Sequence, residues 1–478
     1  MRKEKRFISV IQIISLLVSL PCVGICLFKQ AAEGMELLFL LPLSFLTCCF
    51  LFPRVFTYIQ DNIGLVVLFS SIVIRYLLTP VMLTITGEML PTLRPSVSSF
   101  RYASIIMSIE LIVVFILFDY IWTKHKKRIN DLSFSDDKPA NFRLSVTGLA
   151  FLLFLLLLFL LRGHASNVFS HLSTWFTRFK DFSELYTYDL IAFQVIKSIV
   201  VLTLVSFFAK AFHKTSGFGK WFFFVLACLV AALNTYLFMY DARAALAELF
   251  LSTMYMLISF FPKARGALSK MFGLTGVLFV VMVFAESTME YTSNTVWDMS
   301  FASKLTNMTE LYFSGPSVVA KTIDTYSFVR SNMSIDVVWS DLIHGINIFS
   351  TVPFLRPIYN TANTEITNSL FKMSIGSYPY MMPNYSFCTY YFSDLFGWLF
   401  EIPLLACLFK FLTKMDLAKK KYNDAMFYYA VTYIEVEIGM AFFSENVYLL
   451  IHVITGTTIW LVLFFYINRF GNRFKLRN

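Results

Sequence analysis

The stretch Ser70–Ile85, SSIVIRYLLTPVMLTI, is apolar apart from Arg75, a few hydroxyl groups and Pro80. With the residues just before it, the run is long enough to cross a hydrocarbon core of roughly 30 Å as a helix, which takes about 20 residues. An arginine in the middle of such a run is costly in lipid, so it usually faces a charged partner or a cavity. The stretch therefore predicts a membrane-spanning helix whose buried charge has a specific partner or ligand.

Similar apolar runs recur along nearly the whole chain of 478 residues, in which 57% of residues are apolar and 15% charged. The mean hydropathy of +0.66 is far from that of a soluble protein. Since backbone polar groups must be paired within lipid, the runs predict about 12 helices and an all-α polytopic membrane protein. The runs begin near Phe7, Leu37, Ile63, Tyr102, Leu144, Asp189, Trp221, Ala244, Met271, Tyr391, Ala425 and Val447.

The basic residues predict the orientation in the membrane. The first run follows Arg2, Lys3, Lys5 and Arg6 and continues to Phe28 without a small-residue cleavage site, which predicts a retained span. Lys and Arg of short loops concentrate on the cytoplasmic side, and every basic cluster falls there if the N-terminus is cytoplasmic. Both termini are then cytoplasmic. The net charge of +10 follows from this topology, and no nucleic-acid partner is expected.

A long segment without a spanning run separates two predicted membrane domains. Residues 1–285 form the first domain with nine spans, residues 286–390 an outward segment, and residues 391–478 the second domain with three spans. The outward segment is rich in Tyr, Trp, Asn, Ser and Thr, and patches such as VVWSDLIHGINIF predict short helices lying at the membrane interface. Such a segment resembles a lid over a membrane cavity.

Familiar soluble-enzyme motifs are missing from the sequence. It contains no phosphate-binding loop, dinucleotide-binding glycine pattern, nucleophile elbow or paired-histidine zinc motif. Six of the seven cysteines lie in predicted spans, so neither a disulfide framework nor a thiolate metal site is expected. Transport driven by ATP hydrolysis on this chain alone is thereby disfavoured.

Charged residues inside the spans leave alternatives open. Arg75 either pairs with Glu110 or Asp119 of the next span or faces a ligand. Glu435 and Glu437, in the eleventh span, either pair with an arginine or line the same cavity. These residues are candidates for a functional site.

Arg243 lies where the predicted topology brings the seventh and eighth spans to the outer surface, in the stretch MYDARAALAELF, Met239–Phe250. Asp241 could cap the eighth helix, and the free amides of its first turn together with a guanidinium would suit a phosphate. The alternative is an arginine that reaches lipid headgroups.

Three stretches resemble the Wzy-type polymerases of oligosaccharide repeat units. MYDARAALAELFLSTMYML, Met239–Leu257, is similar to the family's segment with an arginine at a helix start. GSYPYMMPNYSFCTYYFSDLFGWLFEIPLLACLF, Gly376–Phe409, resembles the exit from its large outward loop, and YFSGPSVVAKTID, Tyr312–Asp324, lies earlier in that loop. The sequence departs from the pattern at Asp241 and Ala242 and after Gly397.

This resemblance implies a GT-C-like membrane glycosyltransferase at the outer face of a bacterial cytoplasmic membrane. It would join repeat units carried on undecaprenyl diphosphate into O-antigen, capsule or exopolysaccharide. The implied partners are the lipid-linked oligosaccharide, membrane lipids, a chain-length regulator and a flippase. No Asp-x-Asp motif occurs in an early outward loop, so we expect a metal-independent reaction without a cofactor.

The chemistry requires cations for the departing diphosphate, a base for the acceptor hydroxyl and aromatic faces for sugars. His344 is the base candidate because its ordinary pKa is near neutral, although it could equally be an interfacial histidine; Glu365 and Asp394 are the alternatives. The expected catalytic residues are Arg243, His344 and Arg356, and the expected substrate-binding residues are Arg75, Arg330, Asp341, Tyr385 and Asp394.

Two other classes remain as alternatives. A lipid-linked oligosaccharide flippase or other secondary transporter has a similar number of spans, but it should show internal repeats with broken helices, which the sequence lacks. A channel would need a filter-like loop or a series of pore charges. An O-antigen ligase would differ from a polymerase only in its acceptor.

Overall fold

The structure is a computed structural model, and it describes residues 2–29, 33–59, 62–87, 95–131, 140, 142–161, 187–236, 243–268, 270, 300–332, 339–340, 343, 345–346, 388, 397–441, 451 and 454–474. These residues form helices and contain no β-strand.

The helices follow one another in the order that the apolar runs predict. They are α1 Arg2–Phe28, α2 Leu40–Leu51, α3 Val55–Ile59, α4 Ile63–Val73, α5 Thr79–Thr86, α6 Val97–Asp131, α7 Val146–Leu161, α8 Thr187–Lys214, α9 Phe218–Tyr236, α10 Arg243–Phe260, α11 Phe301–Tyr312, α12 Pro316–Asn332, α13 Gly397–Tyr422, α14 Ala425–Ala441 and α15 Ile459–Phe474. A π-helical turn, Ile74–Leu78, joins α4 to α5, and a second, Ile454–Thr458, precedes α15.

Within the described residues, five helical stretches are long and apolar enough to cross a membrane: Ile8–Phe28, Ile63–Thr86, Val97–Ile129, Ile191–Lys214 and Phe218–Thr235. Three shorter apolar helices accompany them, Leu40–Leu51, Val146–Leu161 and Leu249–Phe260. Many apolar side chains on these helices are exposed, as lipid-facing residues would be. The chain therefore has the architecture of a helical membrane protein. The predicted run beginning at Met271 lies outside the described residues, whereas the one beginning at Val447 is described at Ile451 and from Ile454 onward.

One compact unit comprises residues 1–133, 282–416 and 437–452. In this first unit α2 packs against α1 and α6, α11 packs on α5, and α12 packs along α6. Its core is aromatic: the rings of Phe118 and Phe409 stack at 5.3 Å, and Phe56 meets Phe69 edge-on at 5.1 Å. Such ring pairs add stabilisation beyond the apolar area that they bury.

Local sequence explains the unusual shape of the third predicted span. Asn62 caps α4 by accepting a hydrogen bond from the Gly64 amide at 2.8 Å, and Gly87 ends α5 in the left-handed conformation, φ +63°. Between them the π-helical turn ends at Leu78, just before Thr79 and Pro80, and Pro80 has no N–H to continue the regular hydrogen-bond ladder. The extra residue of this turn carries Arg75 into the protein interior.

The second unit comprises residues 134–281, 417–436 and 453–478. Here α8 packs against α9 and α15 packs against α7. Asn468 of α15 accepts a hydrogen bond from the Ser145 amide at 2.7 Å and donates one to the Arg143 carbonyl at 2.9 Å. This pairing satisfies backbone groups just before α7 that lack helical partners.

Candidate functional site

Among the described residues of the first unit, a group of buried charges is centred on Arg75, whose side chain is 0% exposed. Its Nη1 lies 3.1 Å from Oε2 of Glu110 on α6. Of the alternatives that the sequence leaves open, the ion pair with Glu110 is thus observed, and Asp119 is not the partner. Removal of two charges from water is costly unless each is well paired, so this pair fixes how the π-helical turn faces α6.

Glu110 has further partners. The hydroxyl of Tyr76 donates to its Oε2 at 2.8 Å, and the Tyr76 ring lies under the Arg75 guanidinium, 5.5 Å from Cζ to the ring centre. The carboxyl group of Glu401, on α13, shares a side-chain hydrogen bond with Glu110. Glu401 is not among the residues predicted from the sequence, although it is the one charged residue between Asp394 and Lys410, and a lone charge in an apolar run is a detectable signal.

The predicted outward segment reaches this cluster through the turn between α11 and α12. Arg75 Nε donates to the carbonyl oxygen of Ser314 at 3.0 Å, and Ser314 is fully buried with φ +49°. A Cβ on the next residue, Gly315, would lie 2.7 Å from the Glu310 carboxyl carbon, so glycine is needed there. A serine in the left-handed region persists when its surroundings hold it, and Arg75 supplies such a contact.

Glu310, at the end of α11, closes the turn from the other side. Its Oε2 accepts a hydrogen bond from the amide of Ser317, in the first turn of α12, at 2.9 Å. Burial raises the pKa of the Glu310 carboxyl to about 7, opposed by the Ser317 hydrogen bonds and by the positive charge of Arg75. The turn therefore brings a second carboxyl group into the electrostatic range of Arg75.

We call the α11–α12 pair the hairpin, Phe301–Asn332. The hairpin belongs to the predicted outward segment and packs against α5 and α6. The patch VVWSDLIHGINIF, for which short helices at the interface are predicted, lies mostly outside the described residues. The turn of the hairpin contacts Arg75. Arg75 lies about midway along the stretch Ile63–Thr86, about 18 Å from Ile63 and about 17 Å from Thr86 along the helix axis. Farther along α12, the Asp324 side chain makes a second contact. Its Oδ1 accepts a hydrogen bond of 2.7 Å from the hydroxyl of Ser96, which lies just before α6. The hairpin is thus attached to the spans both at its turn and on α12.

The structure locates few of the other predicted site residues. Arg243 is the first residue of α10, as predicted, and Arg330 lies in α12; only their backbones are described. The structure does not describe the other predicted site residues, which are His344, Arg356, Asp341, Tyr385 and Asp394. The predicted helix cap Asp241 and the alternative base Glu365 also lie outside the described residues. Arg75 is the expected site residue whose side-chain contacts are visible.

Glu435 and Glu437 were expected to pair with an arginine or to line a cavity. Glu435 instead forms a buried ion pair with Lys419 of the preceding helix, in the second unit. Lys419 belongs to the basic last turn of α13, which the positive-inside rule predicts on the cytoplasmic side, and the ion pair is seen only in the structure. Glu437 is buried, in the first unit.

A separate polar network links four helices of the second unit. Lys197 of α8 donates to the carbonyl oxygen of Asn234 on α9 at 2.9 Å. The Asn234 side chain donates to Thr253 of α10 at 2.9 Å and to the Tyr429 hydroxyl of α14 at 3.1 Å, which also meets Ser198 at 3.3 Å. Each of these residues is buried, so the network fixes the helices relative to one another.

The first unit also contains a buried His125–Asp416 pair, with 2.9 Å between Nε2 and Oδ2. The imidazole lies against the Trp122 ring, whose centre is 5.0 Å away. The predicted topology puts this pair at the cytoplasmic ends of α6 and α13, opposite to the outward segment.

No family model, curated protein or solved structure matches the chain. What the fold establishes is the class, a helical membrane protein with charged groups enclosed between its helices. Any assignment of activity therefore depends on the residues themselves and on the resemblance of the three stretches.

Proposed function

We propose that this chain is a metal-independent membrane glycosyltransferase that polymerises oligosaccharide repeat units carried on undecaprenyl diphosphate. In this proposal it has about 12 spans, as hydropathy indicates, with both termini in the bacterial cytoplasm. The reaction takes place at the outer face of the cytoplasmic membrane. Its products are O-antigen, capsule or exopolysaccharide, and a chain-length regulator and a flippase are the expected partners.

The observation that carries the proposal is the start of α10 at Arg243. The first amides of an α-helix have no helical acceptors, and the helix dipole favours negative charge there. An arginine at that position adds planar, bidentate donors suited to phosphate. Predicted topology and the observed helix start together support Arg243 as the residue that binds the lipid diphosphate.

The other resembling stretches also begin helices. Pro316 of YFSGPSVVAKTID is the first residue of α12, and Gly397 of the longer stretch is the first residue of α13. All three stretches thus mark ends of helices that the predicted topology turns outward. This arrangement supports a site assembled at the outer face by segments distant in sequence.

The reaction would transfer the growing chain from the donor diphosphate to a hydroxyl of the acceptor unit. The bond from the anomeric carbon to the phosphate oxygen breaks, and a glycosidic bond to the acceptor oxygen forms. His344 would take the hydroxyl proton, with Asp341 orienting the imidazole, while Arg243 and Arg356 stabilise charge on the departing diphosphate. Arg330, Tyr385 and Asp394 would contact the sugars.

Arg75 receives a different role from the one that the sequence suggested. Since its guanidinium is enclosed and contacts Glu110 and Ser314, a bound diphosphate would have to displace these groups. We therefore assign Arg75 to positioning: it holds the hairpin turn against the spans.

The test is a gel of surface polysaccharide from cells that lack the chain, complemented at equal expression. Wild type should restore a ladder, Arg243→Ala should leave a single lipid-bound unit, and Arg243→Lys should give a weaker ladder because it keeps only the charge. The matched control is Arg265→Ala, an exposed arginine beyond the other end of the same helix, which should give a full ladder.

The outcomes separate the candidates. A full ladder without the chain would refute the polymerase proposal. A polymer that stays on its lipid carrier without the chain would indicate a ligase. A full ladder with Arg243→Ala would keep the polymerase and remove Arg243 from its site.

One observation favours a second candidate, a flippase or secondary transporter. Arg75 and Glu110 are buried about midway along their helices, and charged residues at such depth often mark transport pathways. A transporter would be indicated if cells without the chain failed to display even one repeat unit externally.

A further inference from the structure

Two carboxyl groups face each other between α6 and α13, and we call Glu110 and Glu401 the acid pair. Both are more than nine-tenths buried, with 5% of the Glu110 side chain and 3% of Glu401 exposed. Their carboxyl groups lie within hydrogen-bonding reach of each other and line one cavity. Two carboxylates contain no donor, so a hydrogen bond between them requires a proton on one of the two groups.

The cationic groups around the acid pair can balance only one of its two possible negative charges. Arg75 provides one positive charge and Tyr76 one hydroxyl donor, and both act on Oε2 of Glu110. The Cys388 thiol lies within electrostatic range, and Glu310 adds another carboxyl near Arg75 from the hairpin. Among the described residues, no other charged group faces the acid pair. One carboxylate is matched by Arg75, and the second needs a further cation.

The remaining oxygens of the acid pair point to a small cationic ligand. Oε1 of each glutamate is buried, and none of the described residues donates a hydrogen bond to it. Both glutamates line one small cavity, whose other walls are apolar: Ile106, Val113, Ile402 and Leu405. Such walls offer nothing to an anion or a sugar, whereas two carboxyl oxygens suit a proton or a small monovalent ion.

We propose that the acid pair, Glu110 and Glu401, is a proton-binding site inside the membrane domain, in which one proton is shared between the two carboxyl groups and exchanges through the adjoining cavity. The hydrogen bond between the carboxyl groups favours a proton over a metal cation. The site does not depend on the proposed polymerase activity. Since Glu110 also binds Arg75, loss of the shared proton would add a negative charge beside the contact that holds the hairpin.

The test is infrared spectroscopy of the full-length protein in lipid nanodiscs at alkaline pH. Glu310, whose pKa is about 7, is then ionised and does not contribute a protonated-carboxyl band. Wild type should show the C=O stretching band of a protonated carboxyl group that shifts in heavy water. Glu401→Gln should abolish it, because Glu110 then stays ionised beside Arg75. Glu310→Gln is the matched control and should leave the band unchanged.

Several results would overturn the proposal. The wild-type protein could lack the band, or the band could persist in both Glu401→Gln and Glu110→Gln, which would place the proton elsewhere. Loss of the band on replacing potassium by sodium at constant pH would identify a sodium site instead. Glutamine matches glutamate in size, and a monodisperse elution profile in detergent verifies that each variant is folded.

Discussion

Replacement of Arg75 by leucine tests whether the buried cluster holds the first unit together. Arg75→Leu removes the 3.1 Å contact to Glu110 and the 3.0 Å hydrogen bond to the Ser314 carbonyl. Breaking a buried ion pair from one side costs about 3–5 kcal/mol, because the other charge remains buried. Glu110 keeps the hydrogen bond from the Tyr76 hydroxyl, so we expect the lower end of this range, about 3 kcal/mol.

The free energy of unfolding is measured by titrating the detergent-solubilised protein with a denaturing detergent and following tryptophan fluorescence. Arg75→Leu combined with Glu110→Leu should regain about 1–3 kcal/mol relative to the sum of the single losses, since neither charge is then left alone. The control is Arg101→Leu. Arg101 forms a two-pronged pair with Glu36, but both side chains are nearly half exposed to solvent, so the loss should be much smaller than that of Arg75→Leu.

The reasoning would be refuted by additive losses in the double variant or by equal losses for Arg75→Leu and Arg101→Leu. Limited trypsin digestion gives a second readout. If Arg75 anchors the hairpin, cleavage after Lys321 on α12 should accelerate in Arg75→Leu and stay slow in Arg101→Leu.

Three further predictions use the same titration. In Gly439→Ala the new Cβ would lie 2.4 Å from the Gly64 carbonyl oxygen, which should lower the free energy of unfolding by about 1–3 kcal/mol. The control Gly219→Ala meets no atom within 4 Å and should change stability by less than about 1 kcal/mol. Equal effects of the two substitutions would contradict this packing. Burial raises the pKa of Glu310 to about 7 from 4.5, so the folded state holds the proton more tightly than the unfolded state. The stability present below pH 4.5 should therefore fall by about 3 kcal/mol as the pH rises through 7. Glu310→Gln should remove this pH dependence, and an unchanged pH profile in that variant would argue against the assignment. Asn468→Ala leaves the buried backbone amide just before α7 without its acceptor and should cost about 1–3 kcal/mol; wild-type stability would show that water replaces the side chain.

Hydropathy and local caps could predict much of the helical architecture. The run expected at Ile63 starts α4 there because Asn62 caps it, and the run expected at Ala425 starts α14 after Asp424, whose side chain accepts the Met426 amide at 2.9 Å. The helix start at Arg243 was predicted to within one residue. These features depend on neighbours in sequence and on the cost of placing polar backbone in lipid, and both are readable from one chain.

The buried polar contacts could not be predicted in the same way. The hairpin is too polar to show as a span, yet its turn is enclosed at the level of Arg75, because protein groups satisfy it there instead of water. Likewise, Glu435 pairs with Lys419, and Glu401 meets Glu110 across more than 290 residues of chain. Sequence determined which segments prefer lipid. Tertiary structure decided which charges meet, since that depends on how helices distant in sequence pack against each other.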